Sequence, residues 1–192
     1  MKTLAYLASV AAITLTASAV QGEIVQYAAT LTGPAESPPN SSPATGYATF
    51  DFDTITHSLT MSISFSGLVG TTTVAHIHAD TAVAGTGTAG VASGLVGWTT
   101  GLQSGSYAST SDLLSSATYG SAYLAAHGGT AASAETDLLA AMSNGRAYLN
   151  IQHIDSPYEQ IDGFIYQDVS VPAPGMLALI GMCGVLTGRR RR

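Results

Sequence analysis

Ser58-Leu59-Thr60-Met61-Ser62-Ile63-Ser64-Phe65-Ser66 alternates without a break: Leu, Met, Ile and Phe at odd positions, hydroxyls at every even one. A strand turns successive side chains to opposite faces, so this pattern puts all four large apolar groups on one side. The opposite side is left with Ser and Thr for water, as in a half-buried antiparallel strand. Working outward, Val25 to Leu31, Tyr47 to Asp53, Val74 to His78, Val91 to Thr99, Ala147 to His153 and Gln160 to Gln167 read as further short strands. Seven short strands broken by Gly, Pro and Ser predict an all-β fold, a sandwich or barrel. Pro34 to Pro43 holds four prolines and reads as an ordered loop or edge. Residues 100–146 lose the rhythm. One short covering helix is expected there, capped by Ser133, with Leu138, Leu139 and Met142 as its apolar stripe and Asn144-Gly145 as its end. Ser111 to Ser116 reads as loop.

Charge is sparse and segregated. The chain has 192 residues, six basic and twelve acidic. Lys2 and Arg189 to Arg192 stand at the ends, and Arg146 alone between them. All twelve acids lie from Glu23 to Asp168, so the central body carries one base against twelve acids, a net of −11 with His neutral. Such a surface repels phosphate backbones and argues against nucleic-acid partners. The single cysteine, Cys183, lies near the C-terminus, so the body must hold together through its core without disulfides.

The two ends read as addresses. In residues 1–19, Lys2 supplies a positive start, Leu4 to Leu15 an apolar run, and Ala17-Ser18-Ala19 a small-x-small site. That is the form of a secretory signal peptide cut by signal peptidase after Ala19. At the other end, Val171-Pro172-Ala173-Pro174 interrupts regular structure. Fourteen uncharged, mostly apolar residues follow, Gly175 to Gly188, then Arg189, Arg190, Arg191 and Arg192. As a helix they rise about 21 Å against a bilayer core of about 30 Å. Counting from Pro172 with snorkelling arginines brings the segment near a marginal span, with the arginines cytoplasmic and the body outside. The tail at 171–192 resembles the PEP-CTERM sorting signal of bacteria, with Ala173 where Glu is usual. That resemblance implies an exosortase-like processing enzyme as partner, and release or attachment of the body at the cell envelope. The expected organisation is therefore a signal at 1–19, a domain at 20–170 and a sorting or anchor tail at 171–192.

Several stretches of the body together resemble the CHRD domain, a family named from chordin. They are Ala29-Thr30-Leu31-Thr32-Gly33-Pro34-Ala35-Glu36-Ser37-Pro38-Pro39 with Ala44 to Phe50, Phe65 to Leu68 with Ala75-His76-Ile77-His78, and Gly145-Arg146-Ala147-Tyr148-Leu149-Asn150-Ile151 leading to Pro157 and Gly163. The resemblance runs from Tyr27 to Ile165. It implies an antiparallel β-sandwich of immunoglobulin-like or related type. Where typical members carry His, Glu and Arg, this chain has Gln152, Gln160 and Asp162, so their Glu–Arg pair cannot form at those positions.

His76 and His78 stand two apart on a predicted strand, about 6.5–7 Å between Cα atoms on one face. Two imidazoles so placed can converge on one copper or zinc ion. The His-x-His strand is also similar to the copper-binding strand of Cu,Zn superoxide dismutase, itself a β-sandwich. His153, Asp80, Gln152 and Glu159 are candidate further ligands, although strand alternation turns His153 to the other face. Alternatively, the two histidines hydrogen-bond loop backbone and Asn150 and fix the strand ends. His57 and His127 lie in turn-like contexts and read as solvated. No Gly-x-Ser-x-Gly elbow and no EF-hand spacing occur. Asp51 and Asp53 alternate with Phe50 and Phe52 as the wet face of a strand. Trp98 and the tyrosines suit either a carbohydrate platform or amphipathic packing. The reading is a non-enzymatic exported module that binds or builds the envelope or extracellular matrix. Loops at Pro34 to Pro43 and 80–130 would contact polysaccharide or envelope proteins. The alternative is a copper- or zinc-binding or redox protein using His76 and His78.

Overall fold

The computed structural model describes residues 23–153 and 160–168. The signal segment with Ala17 and Ala19, the tail from Val171 to Arg192, and Glu159 lie outside the described residues.

The fold is all-β and antiparallel, as the alternation predicts. Among the described residues nine strands occur: β1 (Ile24–Thr32), β2 (Thr45–Asp53), β3 (Ser58–Ser66), β4 (Thr72–His78), β5 (Val91–Gly94), β6 (Gly105–Asp112), β7 (Tyr148–His153), β8 (Ile161–Phe164) and β9 (Tyr166–Gln167). Two helices, α1 (Ser121–Ala126) and α2 (Ala131–Ser143), stand between β6 and β7. The strands form one curled sheet in the order β5-β4-β7-β8-β1-β2-β3-β6, with β9 also on β1. β1 is the seam. One edge pairs with β2 along all nine residues, while the other meets β8 at Thr32–Asp162 and β9 at Tyr27 and Ala28. Gly163 makes this crossing possible, because a Cβ there would strike the carbonyl oxygen of Thr30.

The decisive stretch behaves as its pattern requires. Leu59, Met61 and Ile63 are 1% exposed and Phe65 is 6% exposed, while the hydroxyl residues between them face out. Phe50 and Leu31 from neighbouring strands join Ile77, Leu149, Ile151 and Ile161 from the other half of the curl in one core. Each such side chain contributes about 1.5–3 kcal/mol through burial. α2 closes the core with Ala134, Leu138, Ala141 and Met142.

Four local expectations need correction. The strand expected from Val91 to Thr99 ends at Gly94, and the next residues turn, with Trp98 N–H bonded to the Leu95 carbonyl. Residues 100–146 hold two helices and a strand, not one helix in loop. β6 pairs with β3 from Ser58–Asp112 to Phe65–Gly105, yet its core-side positions are Gly105, Tyr107, Ser109 and Ser111, too small and polar to give apolar alternation. Thr130, not Ser133, caps α2. Its hydroxyl accepts the Ser133 N–H, and the Ser133 hydroxyl donates to the His127 carbonyl, with that of Thr130 also within reach. The end at Asn144-Gly145 is as expected. Finally, the strand expected over Gln160 to Gln167 is divided at Ile165 into β8 and β9. Among the described residues, no helix is long and apolar enough to cross a membrane.

Candidate functional site

β4, β7 and β8 present two unlike faces. Ala75, Ile77, Leu149, Ile151 and Ile161, all odd-numbered, are 0–1% exposed in the core. The even-numbered residues stand on the other side. Strand register places His76, Asn150 and Asp162 in one row and His78, Tyr148 and Phe164 in the next. Polar side chains here would ordinarily face water, but the segment after β1 folds over them. Gly33–Ala35 form a single 3-10 turn. The N–H groups of Glu36 and Asn40 both donate to the Gly33 carbonyl. Asn40 then fastens the loop by donating to the Gln160 carbonyl at 3.0 Å and accepting from Ser42 N–H at 2.9 Å. Only glycine fits at position 33, since a Cβ would collide with Asn40 Oδ1.

Between loop and sheet lies a cleft of about 260 Å³, lined by Glu36, Pro38, His78, Asn150, Gln152 and Asp162 among others. At its floor, three oxygens compete for the two hydrogens of Asn150 Nδ2: Glu36 Oε1 (2.9 Å), Gln160 Oε1 (3.0 Å) and Asp162 Oδ1 (2.8 Å). The two carboxyl groups also hydrogen-bond each other, Glu36 as the proton donor. Burial, then the charge of Asp162, pushes Glu36 up to about 8. Burial likewise pushes Asp162 up to about 6, against the opposing pull of its bonds to Asn150 and Glu36. The cause is plain: two like charges in a poorly solvated cleft hold a proton rather than both ionise. No lining residue is Lys or Arg. Arg146, the only base in the described body, sits on Asp80 at 2.8 Å instead.

The histidine pair forms the neighbouring wall. The two rings stand 5.7 Å apart, nearly perpendicular. His78 stacks on Tyr148 at 4.8 Å and, through Nδ1, bonds the Ala89 carbonyl at 3.0 Å. With Nδ1 as the donor, Nε2 becomes the lone-pair nitrogen. His78 Nε2 and His76 Nδ1 are both buried without a hydrogen-bond partner. Burial lowers both pKa values, so both rings are neutral near pH 7. The loop-backbone bond expected for the pair is present at His78, whereas Asn150 bonds the acids instead. Of the other ligand candidates, Gln152 lines the same cleft and Asp80 is held by Arg146. His153 follows Gln152 on β7, so alternation turns it to the other face. Among the described residues, no group of three or more His, Cys, Asp or Glu is placed to hold a metal ion.

Other residues singled out from the sequence find structural work. His57 and His127 are not merely solvated: their Nδ1 atoms meet the α2 carboxylates of Glu135 and Asp137 at 2.8 Å, the first 78 residues along the chain and the second ten. Asp53 caps the β2–β3 turn by accepting from Ile55 and Thr56 N–H, and Asp51 accepts from Gln26 at 2.9 Å. Trp98 packs on Phe65 and Tyr107, so it is no free platform.

Sequence reasoning missed the acid–amide cluster. Glu36 and Asn150 are 114 residues apart, and no local period joins them. The one available signal was that Asp162 and Gln160 depart from the usual CHRD residues. No curated protein and no solved structure matches the chain. A family model does, over residues 27–165. These are the same limits that the quoted stretches mark, and they take in β4, β7 and β8 whole and β1 from Tyr27 onward, so the chain belongs to the CHRD domain family.

Proposed function

We propose that the protein is an exported, non-enzymatic module whose cleft recognises polysaccharide or protein of the cell envelope or extracellular matrix. The observation that carries this reading is the roof of the cleft. The proline-rich loop at Pro34 to Pro43 folds over a polar sheet face and encloses amide, carboxyl, imidazole and phenol groups in one concave site. Such groups hydrogen-bond sugar hydroxyls and peptide amides, and convergent polar groups in a concavity define a binding site. Family membership supports a binding or structural module. The signal-like 1–19 and the sorting-like 171–192, with its Arg189 to Arg192 cluster, support export and membrane tethering before processing.

The test is retention of residues 20–170, which hold the whole described core, on extracted matrix fractions. Retention that fails when Asn40→Ala frees the loop supports the reading, and no retention on any fraction ends it. A second reading rests on the partnerless ring nitrogens of His76 and His78. In metal-ligating histidines, the other ring nitrogen commonly donates to a carbonyl, as His78 Nδ1 is placed to do. Copper or zinc would bind these two with Gln152 or water completing the set. Near-stoichiometric metal lost in the double change His76→Ala, His78→Ala supports it. Metal-free protein whose stability ignores added copper or zinc ends it.

A further inference from the structure

The bonding at the cleft floor does not balance. Three oxygens, from Glu36, Gln160 and Asp162, lie 2.8–3.0 Å from one atom, Asn150 Nδ2. That nitrogen carries two hydrogens and can serve two of them. The other end of the same amide has the opposite fault. Asn150 is 4% exposed, it lines the cleft, and its Oδ1 is buried with no donor. The site therefore has an acceptor too many and a donor too few. It also has two carboxyl groups with no Lys or Arg among the lining residues. Buried like charges need a counter-charge. One shared proton meets half of that need, whereas a divalent cation meets all of it.

The geometry points to a divalent-cation site of the calcium class at the cleft floor, with the Glu36 and Asp162 carboxylates, Gln160 Oε1 and Asn150 Oδ1 as its ligands. Turning the Asn150 amide over its last torsion exchanges the crowded nitrogen for the partnerless oxygen, which leaves three oxygens about 3 Å from a fourth, a cluster that a cation drawn in among them would hold together. Two carboxylates balance the two positive charges, and the proton they shared leaves to water. The quartet holds neither nitrogen nor sulfur, which selects a hard cation over copper or zinc. Calcium accepts six to eight oxygens at about 2.3–2.6 Å in flexible arrangements, and the open cleft admits the waters that complete the shell. Magnesium demands a near-ideal octahedron at about 2.0–2.1 Å, which ligands from a loop and two strands match less well. The site stands whether or not the cleft takes a polysaccharide, and it uses no atom of His76 or His78.

The test uses the full chain, freed of metal with a chelator and dialysed, then titrated with calcium chloride or magnesium chloride alone at fixed ionic strength. Calorimetry is expected to show one calcium site with Kd on the order of 10⁻⁴–10⁻³ M. The melting temperature should rise by roughly 3–6 °C at ten times Kd, with a smaller response to magnesium. The double variant Glu36→Gln, Asp162→Asn keeps side-chain shape and removes the like charges, so it should melt no lower than the metal-free parent and lose the calcium response. If that variant does not fold, Asp162→Asn alone should weaken calcium binding at least tenfold. The variant His76→Ala, His78→Ala should retain calcium binding. No heat and no shift up to about 10 mM calcium overturns the assignment, as does an equal magnesium response. A calcium shift that survives the carboxylate changes also overturns it, because general screening of the acidic body would then be the cause.

Discussion

The two halves of the curled sheet were built under different constraints. In the half made of β2, β3 and β6, ladders run eight or nine residues without a slip. Its outer face carries Ser and Thr at most positions, with hydroxyls paired across strands, as between Thr60 and Thr110 at 2.9 Å. In the half made of β4, β5, β7 and β8, ladders are shorter and the register slips twice, between Thr72 and Val74 and between Ile77 and His78. Its outer face holds His76, and His78, Asn150 and Asp162 line the cleft under the Pro34 to Pro43 loop. The regular half needs only an apolar inside and a wet outside. The irregular half buries polar groups on both sides, a costly arrangement that stability alone does not call for. Regularity marks the scaffold, and polar burial marks the site.

The largest effect should come from the scaffold. Ile63 is 1% exposed in the apolar core, so Ile63→Ala removes buried methylenes and leaves a cavity. The expected loss is about 2–5 kcal/mol, read from the midpoint of urea unfolding. A loss below about 1 kcal/mol would mean that the regular half is loosely packed, and the contrast would fail at its firmer end.

Next in size is Asn150→Ala. It removes the donor shared by Glu36, Gln160 and Asp162 and leaves buried acceptors unserved. The expected cost is about 1–3 kcal/mol at pH 7 without divalent metal. The comparison sharpens if Asn150→Asp costs more, since a third carboxyl group adds charge where two already compete for a proton.

The pH dependence of the same cluster is opposite to that of an ordinary surface carboxylate. Folding raises the Glu36 and Asp162 pKa values, so the folded chain binds more protons than the unfolded one between about pH 4 and about pH 8. Stability from this cluster is full below the unfolded values near pH 4 and declines as pH climbs through about 6 and then about 8. In chelator, the free energy of unfolding should fall from pH 5 to pH 8 by on the order of 2 kcal/mol, after allowing for water in the cleft. Glu36→Gln should flatten most of that slope. An unchanged slope would place its origin elsewhere in the acidic body.

What the sequence revealed follows the same division. Leu59, Met61, Ile63 and Phe65 announce their strand because one face is wholly apolar and the other wholly polar, so period two is visible in nine residues. β6 lies in the same half but was not legible. As an edge strand it puts only Tyr107 into the core as a large group, and its partner β3 supplies the apolar surface. The His76–His78 pair is visible because it is local. The cluster of Glu36, Asn150, Gln160 and Asp162 is not, because it forms only when β1 ends in a loop that crosses β7 and β8. Its members are common polar residues without characteristic spacing. The α2 carboxylate that meets His57, 78 residues away, was hidden for the same reason.

The smallest effect is expected on the outer face of the regular half, and it is the most informative test of the division. Thr60 is exposed on β3, and its hydroxyl pairs only with that of Thr110 on the neighbouring strand. Thr60→Val keeps the branched shape that suits a strand and removes one exposed hydrogen bond, for which water substitutes on both partners. The change should stay within about 0.5 kcal/mol, measured by urea unfolding at several protein concentrations. A larger loss that grows with concentration would show this face covered by another copy in solution. The hydroxyl-rich wall would then be an interface, and the assignment of scaffold to one half and recognition to the other would have to be redrawn.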